Sequence, residues 1–214
     1  MALRFNKLKH FNSDAHLNST EVDTLAIANF WQWFSNYANL IKTDFLGKGA
    51  VEVIHVIEKA LAKVHPKLGF EFGNETGKQG NMEFFISAQG KPIYIPVVDA
   101  VIQGAPQIAG WDIIAYLQPR IVPISILVNG RELVADDILC RAVRNGRKVD
   151  CIFYISGLDR RYETDYLNTI LLLLENIIGE YEMMTKVGSA CVRERNSHTN
   201  AFPLANIVNL IARL

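Results

Sequence analysis

Residues Phe30-Trp31-Gln32-Trp33-Phe34, read as FWQWF, set four large aromatic side chains into five consecutive positions. Rings gathered this closely stack a ligand, grip a partner or fill a core, and the periodicity around them separates the three. At ~100° per residue, Ala26, Ile27, Phe30, Phe34, Tyr37, Ala38 and Ile41 share one helical face. Trp33 and Leu40 border that face on one side and Trp31 on the other. Asn29, Gln32, Ser35, Asn36 and Asn39 fill the opposite side. The pattern predicts an amphipathic helix from about Glu21 to Lys42, with Thr20 as N-cap and Asp23 in an acidic first turn. Its aromatic stripe is a packing device, because large rings supply much of the burial energy of a core. No Lys or Arg is interleaved to neutralise phosphates, which argues against a base-stacking platform. Trp31, at the margin, is the candidate partner contact.

Outward from this helix, Gly49 to Val64 predicts a second one, with Ile54, Ile57, Leu61 and Val64 on one side. It stops before Pro66, which disfavours helix at the preceding residue. A helical hairpin over residues 19–66 follows from the short link. The period then changes to two. Leu68, Phe70 and Phe72 alternate with small or polar neighbours, and Met82 to Ser87 forms a second strand. A short helix is expected from Pro96 to Gln103, then a strand from Trp111 to Leu117 ended by Gln118-Pro119.

The second half repeats this order. Asn129-Gly130 and Asn145-Gly146 are two-residue hairpin signals between apolar runs. Leu167, Ile170, Leu171, Leu174, Ile177 and Ile178 fall on one helical face, and Gly179 suits the helix end. A strand over about Glu182 to Val192 and a last helix over Leu204 to Arg213 complete the pattern. Residues 68–117 and 138–192 thus align as two strand-strand-helix-strand units, a pseudo-repeat read from pattern alone. The expected fold is α+β, a mainly antiparallel sheet with helices on one face behind an N-terminal helical hairpin. It is expected as a single domain over 1–214, with 1–18 a loosely held arm and 67–214 the sheet and its covering helices.

Composition limits the function. Lys and Arg total 22 against 22 for Asp and Glu, so no overall field draws in a polyanion or an acidic membrane. The local basic clusters, Arg141, Arg144, Arg147 and Lys148 with Arg193 and Arg195, read as solvated hairpin ends, so no nucleic-acid partner is expected. Cys140, Cys151 and Cys191 are odd in number and contain no CxxC, which fits inert thiols in a reducing compartment. The N-terminus lacks the continuous apolar core of a signal peptide, and no run approaches the ~20 residues of a membrane span. A cytoplasmic protein without a membrane partner is the expectation.

Motifs for chemistry are sparse. There is no GxSxG, HExxH, EF-hand loop or cysteine–histidine cluster, so neither a cofactor nor a metal is expected. Gly69 to Gly73 and Gly77 to Gly80 lack phosphate-loop spacing. His55 and Glu58 are three apart on one helix, within mutual reach. Asp136-Asp137 reads as a turn, and Glu180, Glu182 and Asp165 have no fixed relation. Gly104 to Asp112, continuing to Gln118-Pro119-Arg120, delivers a tryptophan to a strand start and an arginine beyond its end. Trp111 and Arg120 are therefore candidates for a groove with an aromatic wall and an anion-holding guanidinium.

The FWxWF helix, FEFG, FFISAQG, APQIAGWDIIAYLQPR and IIGEYE, over about residues 28 to 190, together resemble a bacterial protein family with no assigned activity. The resemblance implies a bacterial cytosolic protein. By analogy with small bacterial α+β proteins of this kind, it also implies an immunity or accessory role. The expected function is non-enzymatic protein binding. The alternative is an enzyme whose site is assembled from distant carboxylates and Arg120, which predicts a deep polar pocket with shifted pKa values. A self-associating subunit is the third reading.

Overall fold

The computed structural model describes residues 21–47, 49–73, 80–120, 125–196 and 200–214. The expected arm, the Thr20 cap and Gly77 lie outside the described residues. The chain forms two compact units that divide after Tyr116. Each unit builds its own sheet and its own helical cover, which is why the division falls there.

In the first unit, α1 (Thr24–Leu46) and α2 (Ala50–Val64) form the expected helical hairpin. Asp23 caps α1, its carboxylate accepting from the Ala26 N–H at 2.9 Å. On α2 the buried row is Val53, Ile57, Leu61 and Val64, so Val53 takes the place expected of Ile54. The strands are β1 (Gly69–Phe72), β2 (Met82–Ser87) and β3 (Trp111–Ala115), with α3 (Ile95–Gln103) between β2 and β3. β1 pairs antiparallel with β2, and β3 pairs parallel with β2, in the order β1-β2-β3.

The second unit opens with the hairpin β4 (Ser125–Val128) and β5 (Arg131–Val134). Its turn is Asn129-Gly130, both at positive φ (48° and 77°), as a tight right-twisted hairpin requires. A four-stranded sheet follows, from β6 (Leu139–Asn145), β7 (Lys148–Ile155), β8 (Val187–Glu194) and β9 (Phe202–Pro203), in the order β8-β7-β6-β9. Asn145 pairs with Lys148, so the second hairpin turns on Gly146-Arg147, one residue beyond the expected turn. The helices are α4 (Glu163–Ile178), α5 (Glu180–Lys186) and α6 (Ile207–Ile211).

The pseudo-repeat appears in the topology. Each unit contains an antiparallel hairpin, a helical connection and a third strand parallel to the second: β1-β2-α3-β3 and β6-β7-α4/α5-β8. A helical crossover returns the chain in the same direction, so the closing pairs are parallel while the sheets stay mostly antiparallel. Along β7, Val149, Cys151, Phe153 and Ile155 are buried while Asp150, Ile152 and Tyr154 are half-buried, the alternation of a sheet covered chiefly on one face.

Residues 182–186, expected to open a strand, belong to α5 instead. Gly179 adopts φ 84° and ψ 157°, a conformation essentially reserved to glycine, and breaks α4 from α5. Glu182 and Lys186 then pair across one turn at 2.8 Å, which favours the helix. β8 begins only at Val187 and carries a bulge, with two residues, Gly188 and Ser189, opposite Asp150. Asp150 Oδ1 accepts from the Ser189 N–H at 2.7 Å and fixes this register. That bond, with one from Asn145, holds the Asp150 carboxyl below its ordinary pKa.

Candidate functional site

The two sides of α1 differ sharply in chemistry. Its inner side buries Ile27, Phe30, Trp31, Phe34, Ala38 and Ile41. Phe34 is fully enclosed, stacked on Phe84 of β2 at 4.8 Å and meeting the Trp111 ring edge-on at 5.1 Å. Trp31, the expected marginal contact, is only 2 % exposed, and its indole N–H donates to the Val101 carbonyl of α3 at 2.7 Å. Trp111 is 4 % exposed among Phe34, Phe72 and Phe84, and its indole N–H meets no acceptor among the described residues. Both tryptophans therefore belong to the core of the first unit. Neither offers a partner surface or a groove wall, because each ring is needed to close the layer between α1 and the sheet.

The buried stripe is rotated toward Trp31 relative to the sequence expectation, and this turns Tyr37 outward to 49 % exposure. Trp33 is half-buried beside it, the two rings 6.1 Å apart. Leu25 and Leu40 stand further out, at 69 % and 55 %. Between them Ala28, Asn29, Gln32, Ser35, Asn36 and Asn39 are all exposed. From Thr24 to Ile41, eighteen consecutive residues contain no charged side chain, in a protein that is 21 % charged. Solvated helix faces ordinarily carry charges, and the centres of protein interfaces are depleted of them and enriched in aromatics. The outer face of α1 is thus the candidate site. Sequence reasoning placed its amides correctly on the far side of the helix and passed over the absence of charge, which was the available signal.

Arg120 lies in the second unit, half-buried, and its backbone N–H donates to the Asn176 carbonyl at 2.8 Å. Here Leu117 to Arg120 run against the α4–α5 junction. Glu180, fully buried, accepts from the Leu117 N–H through Oε2 at 3.1 Å, and its own N–H donates to the Leu117 carbonyl at 2.8 Å. A Cβ on Gly179 would come within 2.9 Å of Pro119 Cδ. These bonds hold backbone to backbone or carboxylate to backbone. The junction is a structural clamp.

Several other polar groups make local structural contacts of the same kind. Glu182 pairs with Lys186, and Asp165 accepts from Asn129 Nδ2 at 3.2 Å. His55 and Glu58 do meet, at 3.2 Å, on an exposed helix face. His65 caps the end of α2, with its Nδ1 accepting from the Lys67 N–H at 3.2 Å. Glu83 and Asp112 are direct partners across β2 and β3, and burial, with the nearby Asp112 charge, raises the Glu83 pKa. Cys140 and Cys151 are buried on neighbouring strands, and their shared hydrogen bond together with burial pushes the Cys140 thiol well above its ordinary range. That keeps it protonated and unreactive.

Two open depressions border the start of α1. One, of about 250 Å³, is lined by Thr24, Ile27, Ala28, Ala100, Gln103 and Gly104, and the other by residues 21–24 with Val64 and His65. Neither is an enclosed polar pocket. Among the described residues no group of three or more His, Cys, Asp or Glu is placed to hold a metal ion, and no helix is long and apolar enough to cross a membrane. Comparison with protein-family profiles, with curated proteins and with solved structures gave no match.

Proposed function

We propose that this chain is a non-enzymatic binding protein, of the accessory or immunity-like kind, that holds a protein partner on the outer face of α1. The observation that carries the reading is the exposed, charge-free face from Thr24 to Ile41, with Leu25, Tyr37 and Leu40 standing out of it. Depletion of charge lowers the desolvation cost of covering the face, and the exposed Tyr37 ring and two leucines supply apolar area to cover. Three thiols without a disulfide support a reducing, cytoplasmic setting in a bacterial cell.

The experiment is a comparison of the tagged wild-type protein with Asn36→Lys as baits for associated protein. Asn36 is exposed at the middle of the face, so the substitution places a charge there and leaves the core untouched. Loss of the associated protein with unchanged melting supports the reading. Equal association by both baits moves the binding surface elsewhere and overturns it.

A further inference from the structure

We infer that the open face of the four-stranded sheet docks an extended acidic segment of a protein partner, with carboxylates four residues apart and an apolar side chain midway between them. The inference stands on the second unit alone and does not depend on the reading of α1.

The two faces of this sheet differ in chemistry. The inner face carries Cys140, Val149, Cys151, Phe153, Ile155 and Val192 into the core with α4 and α6. On the outer face the register sets out two rows across three strands. One is Leu139, Tyr154 and Arg193, and the other is Arg141, Ile152 and Cys191. Leu139, Ile152, Tyr154 and Cys191 are half-buried, while Arg141, Val143 and Arg193 are exposed. Expected at hairpin ends, Arg141 and Arg193 instead stand within β6 and β8, on either side of the apolar centre of β7. Arg195 adds a third exposed guanidinium two residues beyond Arg193, where its N–H donates to the Ile155 carbonyl at 2.9 Å.

Positive charge predominates on this face. Asp150 is the carboxylate among these strand residues, and its oxygens accept from the Ser189 N–H at 2.7 Å and from Asn145 Nδ2 at 2.9 Å. Glu194 alternates to the other side and accepts from the N–H groups of Gly157 and Leu158 at 2.8 and 2.6 Å. Among the described residues, no carboxylate pairs with Arg141, Arg193 or Arg195. An ordinary solvated surface intersperses both signs. Arginine and tyrosine are the side chains that interface centres favour, and a guanidinium grips a carboxylate through two parallel bonds.

The spacing of the guanidiniums selects the shape of the partner. Arg141 and Arg193 lie two strands (~9.6 Å) apart across the sheet and two residues (~6.7 Å) apart along it, about 12 Å between Cα atoms. An extended chain advances ~3.3 Å per residue, so side chains four residues apart on one side of it are ~13 Å apart. The side chain between them then falls over Tyr154 and Ile152. A second copy of this face would bring guanidinium toward guanidinium. A single-stranded nucleic acid stacks successive bases on several rings, and Tyr154 is the one ring in these rows.

The test is fluorescence anisotropy on the full chain with the labelled peptide Ser-Glu-Ser-Leu-Ser-Glu-Ser. The expected result is saturable binding that weakens as salt is added. Arg141→Glu combined with Arg193→Glu should lower affinity at least tenfold with unchanged melting. That double variant should instead bind the same peptide with Lys in place of each Glu, which the wild type does not, and so reports an intact face of reversed charge. Asn36→Lys on α1 should leave the binding unchanged, so this inference and the reading of α1 fail separately. No binding by the wild type, equal binding of the Glu and Lys peptides, or a double variant indistinguishable from the wild type overturns the inference. An oligouridylate of the same length that binds more tightly than the acidic peptide also overturns it, and assigns the face to single-stranded nucleic acid.

Discussion

Replacing Phe34 by alanine tests the inner side of α1. The ring is fully buried, stacked on Phe84 at 4.8 Å and edge-on to Trp111 at 5.1 Å and to Trp31 at 5.7 Å. An aromatic side chain buries ~150–250 Å², and at ~25 cal/mol/Å² most of that, roughly 4 kcal/mol, is lost on truncation. The ring pairs add about 0.5–1.5 kcal/mol beyond area. Because the site is walled by other rigid rings, it collapses poorly, which places the cost at the upper end of the ~3–5 kcal/mol span for Phe→Ala. The assay is urea unfolding followed by tryptophan fluorescence, for which Trp31 and Trp111 are reporters in contact with the mutated position. A loss of about 4–5 kcal/mol is expected for Phe34→Ala, with Phe34→Leu retaining more of the stability. A folded Phe34→Ala protein that loses less than about 1 kcal/mol would refute the packing assignment.

Three further perturbations examine the clamp and the carboxylate pair. Glu180→Ala leaves the partly buried Leu117 N–H without its carboxylate acceptor, and a loss of about 1–3 kcal/mol is expected by chemical denaturation. Gly179→Ala forces a side chain into a positive-φ position against Pro119 and should cost ~1–3 kcal/mol in the same assay. Glu83→Gln reads out as pH dependence. The raised Glu83 pKa means that the folded state favours the protonated acid, so its stabilisation is complete below the ordinary value of 4.5 and is lost as pH rises through the folded value. Glu83→Gln should therefore melt above the wild type at pH 7, with the difference closing as pH falls toward 4.5; a constant difference across that window would contradict the assignment.

The elements visible in sequence were those with strong local chemistry. Asn129-Gly130 marked a tight turn, and the short apolar run from Met82 to Ser87 set β2 to the residue. The pseudo-repeat was visible as an order of elements. Its parallel closing strands were not, because pairing direction depends on where a helical connection delivers the chain. α5 was hidden because Tyr181, Met183 and Val187 alternate like a strand, whereas its helix depends on the Gly179 break and the Glu182–Lys186 pair. For the candidate site, the wheel identified the outer amides, but a rotation of the buried stripe by a fraction of a turn exchanged the roles of Trp31 and Tyr37. That rotation is set by the Trp31 bond to Val101, seventy residues away, which no local pattern contains.

The most direct test of α1 as a binding face is made at its centre. Asn36 is exposed at the middle of the outer face, so Asn36→Lys places a charge there without entering the core. Tagged wild type and Asn36→Lys are compared as baits for associated protein, with the melting temperature of each measured alongside. The account predicts that protein held by the wild type is lost from Asn36→Lys while the two melt alike. Equal association by both baits would contradict it.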